Sequence, residues 1–360
     1  MAGEDDEFPG ATEAVERAFG AANRQRILAD YFRGAGDVTP QNAWQHVYRL
    51  LLWINPTISL AHCYESDKCQ PGKAWYPRSL VFHRWVSEQF GVAPLELREH
   101  VDVLFRSALP ALAHSESEAR RNAAAQLLAE YREPMPLPGD DADLVDLVVG
   151  TLSLDPLPDD VGRHLIERIY THFARENKRK NLLGRGFEDT LAAVIHQLPT
   201  AAGWELDTRV LLADIPGFLP QSEHLKRNEV DLALWQPQER GRRILVSAKW
   251  SVRADRERQF ESDFDDYSRS NKGDPFDYVL VTNEFDAARL HAACTKVSGR
   301  DRLFTHVVHV QPQAVLATYG KEADAPGAGG QRRKARELRG LIDGGRLLSL
   351  RQWLEGLVGE

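Results

Sequence analysis

An aspartate and a lysine stand at corresponding places in two neighbouring segments that each predict a β-strand. Asp231 precedes one run of aliphatic residues, and Lys249 follows the next run, with Ser247 two positions before the lysine. The intervening residues Gln236–Gly241 have the length of a hairpin loop. Because alternate side chains of a strand share a face, the Asp231 carboxylate and the Lys249 ammonium are expected to converge at neighbouring strand ends.

This pair of side chains suits the hydrolysis of phosphodiester bonds. That reaction uses a divalent cation to polarise the phosphate and to lower the pKa of the attacking water. Magnesium is often held by one or two carboxylates together with the substrate phosphate, and a nearby lysine offsets the charge that develops in the transition state. In the alternative interpretation, Asp231 and Lys249 are a solvent-facing pair on an amphipathic hairpin, because simple matches of this kind are common.

Further acids are needed, since Ser247 stands where the usual pattern carries a second carboxylate. The helix predicted downstream can supply one. Asp263 lies about 60° around the helix axis from the inward-facing Phe260, whereas Glu261 lies about 100° away on the other flank. We therefore favour Asp263 and keep Glu261 as the second choice. Glu188, in an earlier predicted helix, is a candidate additional acid, and each of these acids could also be an ordinary solvated helix residue.

Two arginines that flank an aspartate follow the lysine, at Arg253, Asp255 and Arg256. An arginine can donate two hydrogen bonds to O6 and N7 of guanine, and an aspartate can accept one from N4 of cytosine. At the start of a helix, this cluster matches adjacent G·C pairs. The alternative is an ion-pair network within the helix, which is worth only tenths of a kcal/mol.

The run from Ser247 to Arg256, with Asp231 upstream and an acid on the following helix, resembles the type II restriction endonucleases of the PD-(D/E)xK superfamily that recognise CCGG-containing palindromes. The NgoMIV-like and BsaWI-like enzymes form this group. The resemblance covers roughly residues 180 to 270. It implies a restriction-endonuclease-like fold, with a mixed central sheet flanked by helices.

The resemblance also implies a role for each matching residue. The metal-binding acids would be Asp231 and Asp263, the latter being the displaced acid of the SxK variant of the motif. Lys249 would be the catalytic lysine and Glu188 the additional helix acid. The residues that read the CCGG core would be Arg253, Asp255 and Arg256. Two positions depart from the family pattern: Val230 stands where proline is frequent, and Asp263 is shorter than the usual glutamate, which keeps Glu261 as an alternative.

The activity implied is magnesium-dependent cleavage of double-stranded DNA at a palindrome with a CCGG core. The products would carry 5′-phosphates and four-nucleotide 5′ overhangs. A palindrome requires two-fold symmetry, so the resemblance predicts a homodimer or a tetramer, with a companion DNA methyltransferase in a prokaryotic cytoplasm. Two alternatives stay open: a nuclease of the same superfamily that serves DNA repair or modification-dependent defence, and a DNA-binding module without catalysis.

The composition is compatible with a specific nuclease. The chain has 360 residues, a net charge of −8 and three cysteines. It has no apolar run long enough to span a membrane, and three cysteines favour a reducing compartment over a disulfide framework. The negative charge argues against non-specific coating of nucleic acid. A local basic cluster that includes Lys178, Lys180 and Arg185 is a candidate for phosphate contacts.

The order of predicted elements gives an α/β protein with a helical N-terminal domain. Residues 1–132 predict helices, and residues 133–160, rich in proline and without lysine or arginine, predict a linker. Residues 161–360 predict the catalytic domain, with helices at Gly162–Asn177 and Gly186–Leu198. The strands predicted there, in chain order, are Glu205–Leu212, Glu229–Trp235, Arg243–Trp250, Tyr278–Thr282 and Phe304–Val310, with further helices at Asp255–Tyr267 and Asp286–Lys296.

Overall fold

The computed structural model describes most of the chain, namely residues 17–126, 139–152, 157–199, 203–219, 228–238, 241–253, 256–299, 301–320 and 329–357. Its contacts divide into two compact units. The first unit is Met1–Asn23 with Ala108–Leu183, and the second is Arg24–Ser107 with Gly184–Glu360. Every residue named above as a site candidate, apart from Lys178 and Lys180, lies in the second unit.

The helices of the described residues are, in chain order, α1 (Ala21–Gly34), α2 (Ala43–Leu51), α3 (Tyr76–Phe90), α4 (Leu97–His100), α5 (Val103–Gln126), α6 (Gly139–Leu152), α7 (Asp159–His196), α8 (Glu257–Ser270), α9 (Ala287–Thr295), α10 (Pro312–Thr318), α11 (Gly329–Asp343) and α12 (Leu350–Gly356). The strands are β1 (Ile54–Asn55), β2 (Leu60–Ala61), β3 (Glu205–Leu211), β4 (Glu229–Trp235), β5 (Arg243–Lys249), β6 (Asp277–Thr282), β7 (Val297–Ser298), β8 (Asp301–Arg302), β9 (His306–His309) and β10 (Leu347–Ser349). None of these helices is both long enough and apolar enough to cross a membrane.

A mixed six-stranded sheet forms the centre of the second unit, with the strand order β10-β9-β6-β5-β4-β3. Strands β3, β4 and β5 are antiparallel neighbours, whereas β5, β6, β9 and β10 run parallel. Strand β5, where the two patterns meet, is buried along almost its whole length. This mixed sheet flanked by helices, in a chain whose N-terminal region is helical, confirms the predicted fold class.

Helix α8 covers one face of this sheet. Its Tyr267 ring lies 5.3 Å from the ring of Tyr278, and its Phe260 ring lies 5.4 Å from the ring of Phe304. Tyr278 is paired with Leu245, which shares its face of the sheet with Ser247 and Lys249 by alternation. Helix α8 therefore packs on the face that carries the candidate lysine.

Helices from the first hundred residues pack against the loop that follows β6. The Tyr48 hydroxyl donates a hydrogen bond of 2.9 Å to Oδ1 of Asn283, and the ring of Phe82 lies 4.7 Å from that of Phe285. These contacts are why residues 24–107 belong to the unit that contains the sheet. The two compact units are divided at residues 23, 107 and 183, and the domain division at residues 132 and 160 stays a prediction.

Several predicted elements differ from those observed. Helix α7 is continuous, whereas the sequence predicts a break between Asn177 and Gly186. Leu182 and Phe187 are buried on either side of Gly184 and Gly186, so apolar burial continues across the glycines. Two short strands, β1 and β2, form a hairpin in a region predicted to be helical. Within the predicted linker, where the sequence predicts one short helix or strand around Leu144 to Leu152, the structure has the longer helix α6, Gly139–Leu152.

Almost all described residues of the first unit are helical. It contains α6 and parts of α1, α5 and α7. Its buried apolar side chains include Leu112, Val145 and Ile166. Helix α7 is the element that runs from this unit into the second, where it carries Glu188.

Candidate active site

The structure brings Asp231 and Lys249 into direct contact. Oδ2 of Asp231 accepts a hydrogen bond of 2.6 Å from Nζ of Lys249 and one of 2.8 Å from the backbone amide of Ala248. The Ser247 hydroxyl donates a longer one, of 3.4 Å, to the same oxygen. The antiparallel register explains why these side chains are in contact. Leu232 pairs with Val246, so Asp231 lies next to Ser247. No described residue hydrogen-bonds Oδ1, which leaves that oxygen available to a ligand.

The end of β5 is held by contacts of the residue that follows the lysine. The carbonyl of Trp250 accepts a hydrogen bond of 3.0 Å from the backbone amide of Asn283. The Trp250 ring packs edge-on against Phe187 of α7 at 5.4 Å. These contacts fix the backbone beside Lys249, so the lysine reaches Asp231 from a rigid strand end rather than from a free loop.

A network of two acids and two arginines lies beside this pair. Arg209 donates hydrogen bonds of 2.8 Å to Oε2 of Glu188 and of 2.6 Å to Oδ1 of Asp189. The other oxygen of Asp189 accepts a hydrogen bond of 2.6 Å from Nε of Arg24, and both side chains of this second pair are almost fully buried. The network connects α1, α7 and β3 at the edge of the candidate site.

Glu188 is close enough to Asp231 for the two charges to interact. Burial, with the negative charge of Asp231 in second place, raises the pKa of Glu188 from 4.5 to about 7, although its hydrogen bond to Arg209 acts in the opposite direction. The predicted additional acid therefore lies near the Asp231–Lys249 pair, and its carboxyl can hold a proton near neutral pH.

Of the four residues in this network, the sequence singled out only Glu188, and Arg209 is the unpredicted member that contacts it directly. It lies in the middle of β3 with a φ of 53°, in the left-handed region that side chains rarely adopt. In the pairing of β3 with β4, Thr208 lies opposite Leu232 and Val210 lies opposite Val230, whereas Arg209 between them is not paired. Strain of this kind costs of order 1–3 kcal/mol and is characteristic of functional sites. An arginine in the centre of an otherwise ordinary strand was the only available sequence signal.

The two acids proposed on α8 have different surroundings. Burial raises the pKa of Asp263, with the negative charge of Asp231 acting in the same direction and Lys249 opposing it. Glu261 instead forms an ion pair of 3.2 Å with Lys296, at a position about half exposed. Asp263, whose Oδ1 accepts a hydrogen bond of 2.6 Å from Gln259, is thus close enough to Asp231 and Lys249 for their charges to act on it, whereas Glu261 is paired with Lys296.

The loop after the lysine is fixed by a buried acid. The backbone amide of Val252 donates a hydrogen bond of 2.8 Å to Glu284, whose other oxygen accepts one of 2.7 Å from the amide of Asp286. Burial raises the pKa of Glu284. Arg253 and Arg256 are exposed, with Arg256 at the N-cap of α8. Asp255, the third predicted base-reading residue, lies outside the described residues.

The predicted basic cluster on α7 is only partly described. Lys178 and Lys180 belong to this helix, but their side chains lie outside the described part of the structure. Arg185 is exposed, one turn before Glu188. Arg179 between the two lysines is buried, so it does not add to an exposed basic surface.

The oxygen donors around Asp231 fit a hard divalent cation. Within the described ranges, no group of three histidine, cysteine or acidic residues is positioned to hold a metal ion. Burial and the negative charge of Asp231 both raise the pKa of Asp263, so the two carboxylates are close enough to interact. Magnesium needs few protein ligands when a substrate phosphate and water complete its coordination, so this pair of acids satisfies the donor chemistry.

Comparisons with known proteins give a distant structural likeness. No protein-family model matches the chain, and no curated protein matches it. A solved complex of the restriction endonuclease PspGI with substrate DNA is similar to the chain with 10% sequence identity and a TM-score of 0.35, and the match covers 98% of this chain and 92% of that one. At this identity and TM-score the likeness carries no functional inference, which therefore rests on the side chains around Asp231.

Proposed function

We propose that this chain is a magnesium-dependent endonuclease that hydrolyses phosphodiester bonds in double-stranded DNA. The observation that carries the proposal is the contact of 2.6 Å between Nζ of Lys249 and Oδ2 of Asp231, at the shared edge of β4 and β5. An acid and a lysine at paired strand ends, with a second acid on the helix that packs on the same face, supply the groups that the reaction needs.

Asp231 and Asp263 would hold the cation. A bound magnesium ion would polarise the scissile phosphate and lower the pKa of the attacking water. Asp231 can ligate through Oδ1 while Oδ2 keeps its hydrogen bonds to Lys249 and to the amide of Ala248. Those hydrogen bonds orient the carboxylate, as outer-shell partners do for metal ligands generally. We favour Asp263 over Glu261 as the displaced acid, and the ion pair between Glu261 and Lys296 supports this choice.

Lys249 and Glu188 act on the substrate side of the reaction. The side chain of Lys249 is about a quarter exposed, so its ammonium can also contact a phosphate oxygen and offset the negative charge that develops there. Glu188, with a pKa raised to about 7, is able to accept or release a proton near neutral pH. Arg209 holds Glu188 beside the site by a hydrogen bond of 2.8 Å. Ser247 supports Asp231 through its hydroxyl.

Arg253, Asp255 and Arg256 would read bases in the major groove. The two arginines are exposed at the start of α8, directly after the loop that Glu284 fixes. Arginine contacts to guanine and an aspartate contact to cytosine fit a CCGG core. Lys178, Lys180 and Arg185 would contact phosphates.

A palindromic site requires two-fold symmetry, so we propose a homodimer or a tetramer. The products would carry 5′-phosphates and four-nucleotide 5′ overhangs, and a cognate methyltransferase would protect the host DNA.

A digest of a sequenced plasmid tests the proposal. Purified protein is incubated with unmodified plasmid and Mg²⁺, with EDTA as the metal-free control, and the fragment ends are mapped by run-off sequencing. We expect discrete fragments that all end at one palindrome containing CCGG, and no cutting with EDTA. Cleavage only of methylated plasmid would favour modification-dependent defence, and cleavage only of damaged DNA would favour repair. Binding without any cleavage would favour a non-catalytic DNA-binding module and overturn the nuclease.

A further inference from the structure

Glu284 lies in the turn between β6 and α9, and each of its polar groups is used within the protein. Oε2 accepts a hydrogen bond of 2.8 Å from the amide of Val252, and Oε1 accepts one of 2.7 Å from the amide of Asp286. The amide of Glu284 donates a hydrogen bond of 3.1 Å to Oγ1 of Thr282, and its carbonyl accepts one of 2.9 Å from Nε2 of His309. Because its side chain is also fully buried, Glu284 is a rigid link between two loops.

A buried histidine fixes the backbone of this turn. Burial lowers the pKa of His309 from 6.5 to about 3, so its ring is neutral at physiological pH. Nδ1 of the ring accepts a hydrogen bond of 2.9 Å from the amide of Gln311. The single ring proton is therefore on Nε2, which donates to the carbonyl of Glu284. The Glu284 carboxylate thus extends from a backbone with one fixed orientation.

The loop from β5 to α8 is attached to this turn at two points. The carbonyl of Trp250 accepts a hydrogen bond of 3.0 Å from the amide of Asn283. Two residues later, the amide of Val252 is bound by the Glu284 carboxylate. Arg253, the first of the proposed base-reading residues, comes directly after Val252 and is exposed. The position from which Arg253 extends is therefore set by Glu284.

The charge of Glu284 is balanced by a cation that it shares with a more exposed acid. Nη1 of Arg289 lies 3.4 Å from Oε2 of Glu284 and 3.4 Å from Oε1 of Glu65. The Glu65 side chain is 34% exposed, and its Oε2 pairs with Lys68 at 2.7 Å. The two acids thus share Arg289, but the second oxygen of Glu65 is used by a lysine rather than by a backbone amide.

We infer that Glu284 is a positioning residue for base recognition, because it holds the amide next to Arg253. This inference rests on the proposed function, in which Arg253 reads a guanine. Two hydrogen bonds to O6 and N7 of guanine require one orientation of the guanidinium, and a loop that is not fixed would also allow contacts with other bases. Lys249 precedes the loop, and the bond from Asn283 to Trp250 holds that strand end separately. Glu284 should therefore affect discrimination more than bond cleavage.

The variant Glu284→Gln tests this role with little change of shape. A glutamine side chain has one acceptor oxygen, so it can serve one of the two amides while its NH₂ group faces the other. The matched control is Glu65→Gln, which removes the second acid of Arg289 and leaves both amides bound. Each full-length variant is measured by competition binding in Ca²⁺, with a cognate duplex and one with a substituted core, and by single-turnover cleavage of the cognate duplex in Mg²⁺.

The expected change is a loss of discrimination with little loss of rate. A good arginine contact to guanine is worth about 5- to 150-fold in discrimination. We expect Glu284→Gln to lose at least about 5-fold of the discrimination, while its cleavage rate at saturating protein stays within a few-fold of wild type. Glu65→Gln should discriminate like wild type. When Glu284→Gln is added to Arg253→Ala, it should cost no further discrimination, since Glu284 acts through Arg253.

Wild-type discrimination by folded Glu284→Gln would overturn the inference, as would equal weakening of both duplexes or a further loss in the double variant. Wild-type protein gives a second measurement that needs no variant. Hydrogen exchange at the Val252 amide should be as slow as at the amides of β5, and rapid exchange would also overturn the inference. If Arg253→Ala discriminates like wild type, or if wild-type protein neither binds nor cuts DNA, the proposed function itself has failed, which is a distinguishable result.

Discussion

The buried ion pair between Arg24 and Asp189 should be one of the strongest polar contributions to the stability of the second unit. Nε of Arg24 lies 2.6 Å from Oδ2 of Asp189, and each side chain is 4% exposed. Asp189 also accepts a hydrogen bond of 2.6 Å from Arg209. Breaking a buried ion pair by removing one partner costs about 3–5 kcal/mol, because the remaining charge stays in a low-dielectric environment.

The two partners should not be equally costly to remove. In Arg24→Met, Asp189 keeps Arg209, so we expect a loss near the lower limit, about 3 kcal/mol. In Asp189→Asn, both arginines lose a charged partner, so we expect a loss near 5 kcal/mol. The control Arg26→Met breaks a pair of 3.2 Å with Asp30 in which both side chains are largely exposed, and it should cost less than about 1 kcal/mol.

Equilibrium unfolding in urea, followed by tryptophan fluorescence, measures these differences. We expect the largest loss of unfolding free energy for Asp189→Asn, a smaller loss for Arg24→Met and the smallest for Arg26→Met. The reasoning would be refuted if Arg24→Met were as stable as Arg26→Met, because α1 would then not be tied to the sheet unit through this contact.

Three further predictions concern the site itself. Asp263→Asn should reduce the cleavage rate at least about 100-fold in single-turnover assays, as loss of an electrostatic group does, whereas Glu261→Gln should cut like wild type; the reverse pattern would reassign the displaced acid. The folded carboxyl of Glu188 has its pKa raised from 4.5 to about 7, so it binds a proton more tightly than the unfolded chain does and stability should fall as pH rises through that range. In Glu188→Gln this decline should be absent, and above pH 7 the free energy of unfolding should exceed that of wild type by about 3 kcal/mol, at 1.36 kcal/mol per pKa unit. If the unfolding free energies of variant and wild type changed with pH in parallel, the raised pKa of Glu188 would be excluded. Arg253→Ala or Arg256→Ala should cost about 1–3 kcal/mol of discrimination between the cognate duplex and one with a substituted core, measured by competition binding, and an equal loss on both duplexes would show phosphate contact instead.

The meeting of Asp231 with Lys249 was predictable because it depends on local rules. Both residues lie on strands whose alternation is clear, and one hairpin connects the strands, so the register follows from the loop and the buried face. The observed strands β4 and β5 accordingly match the predicted ones to within one residue. The choice between Asp263 and Glu261 followed from helical angles and from the position of the apolar stripe.

The network around Arg209 was not predictable in the same way. Arg24 and Asp189 are 165 residues apart, and neither the pairing nor the burial leaves a periodic signal in the sequence. The left-handed φ of Arg209 is a consequence of tertiary contacts, because no glycine or turn marks the position. Contacts of the same long-range kind, such as the hydrogen bond from Tyr48 to Asn283, place residues 24–107 in the compact unit that contains the sheet.

Weak local signals explain the remaining differences. Strand β10 has three residues, too few to show alternation, and it is held by parallel pairing with β9. The sequence predicts two helices where α7 is continuous, and α7 contains Gly184 and Gly186, but a glycine inside a helix costs only about 1 kcal/mol relative to alanine. The buried stripe of Phe187 and Leu191 outweighs that cost.

Single-turnover cleavage by Lys249→Ala tests the central claim most directly. The ion pair with Asp231 is partly exposed, with 26% and 21% of the two side chains accessible, so its loss should lower the unfolding free energy by no more than about 1 kcal/mol. Cleavage of a cognate duplex in Mg²⁺ should fall about 100- to 1000-fold, while binding of that duplex in Ca²⁺ stays within a few-fold of wild type. Undiminished cleavage by a folded Lys249→Ala protein would contradict the account.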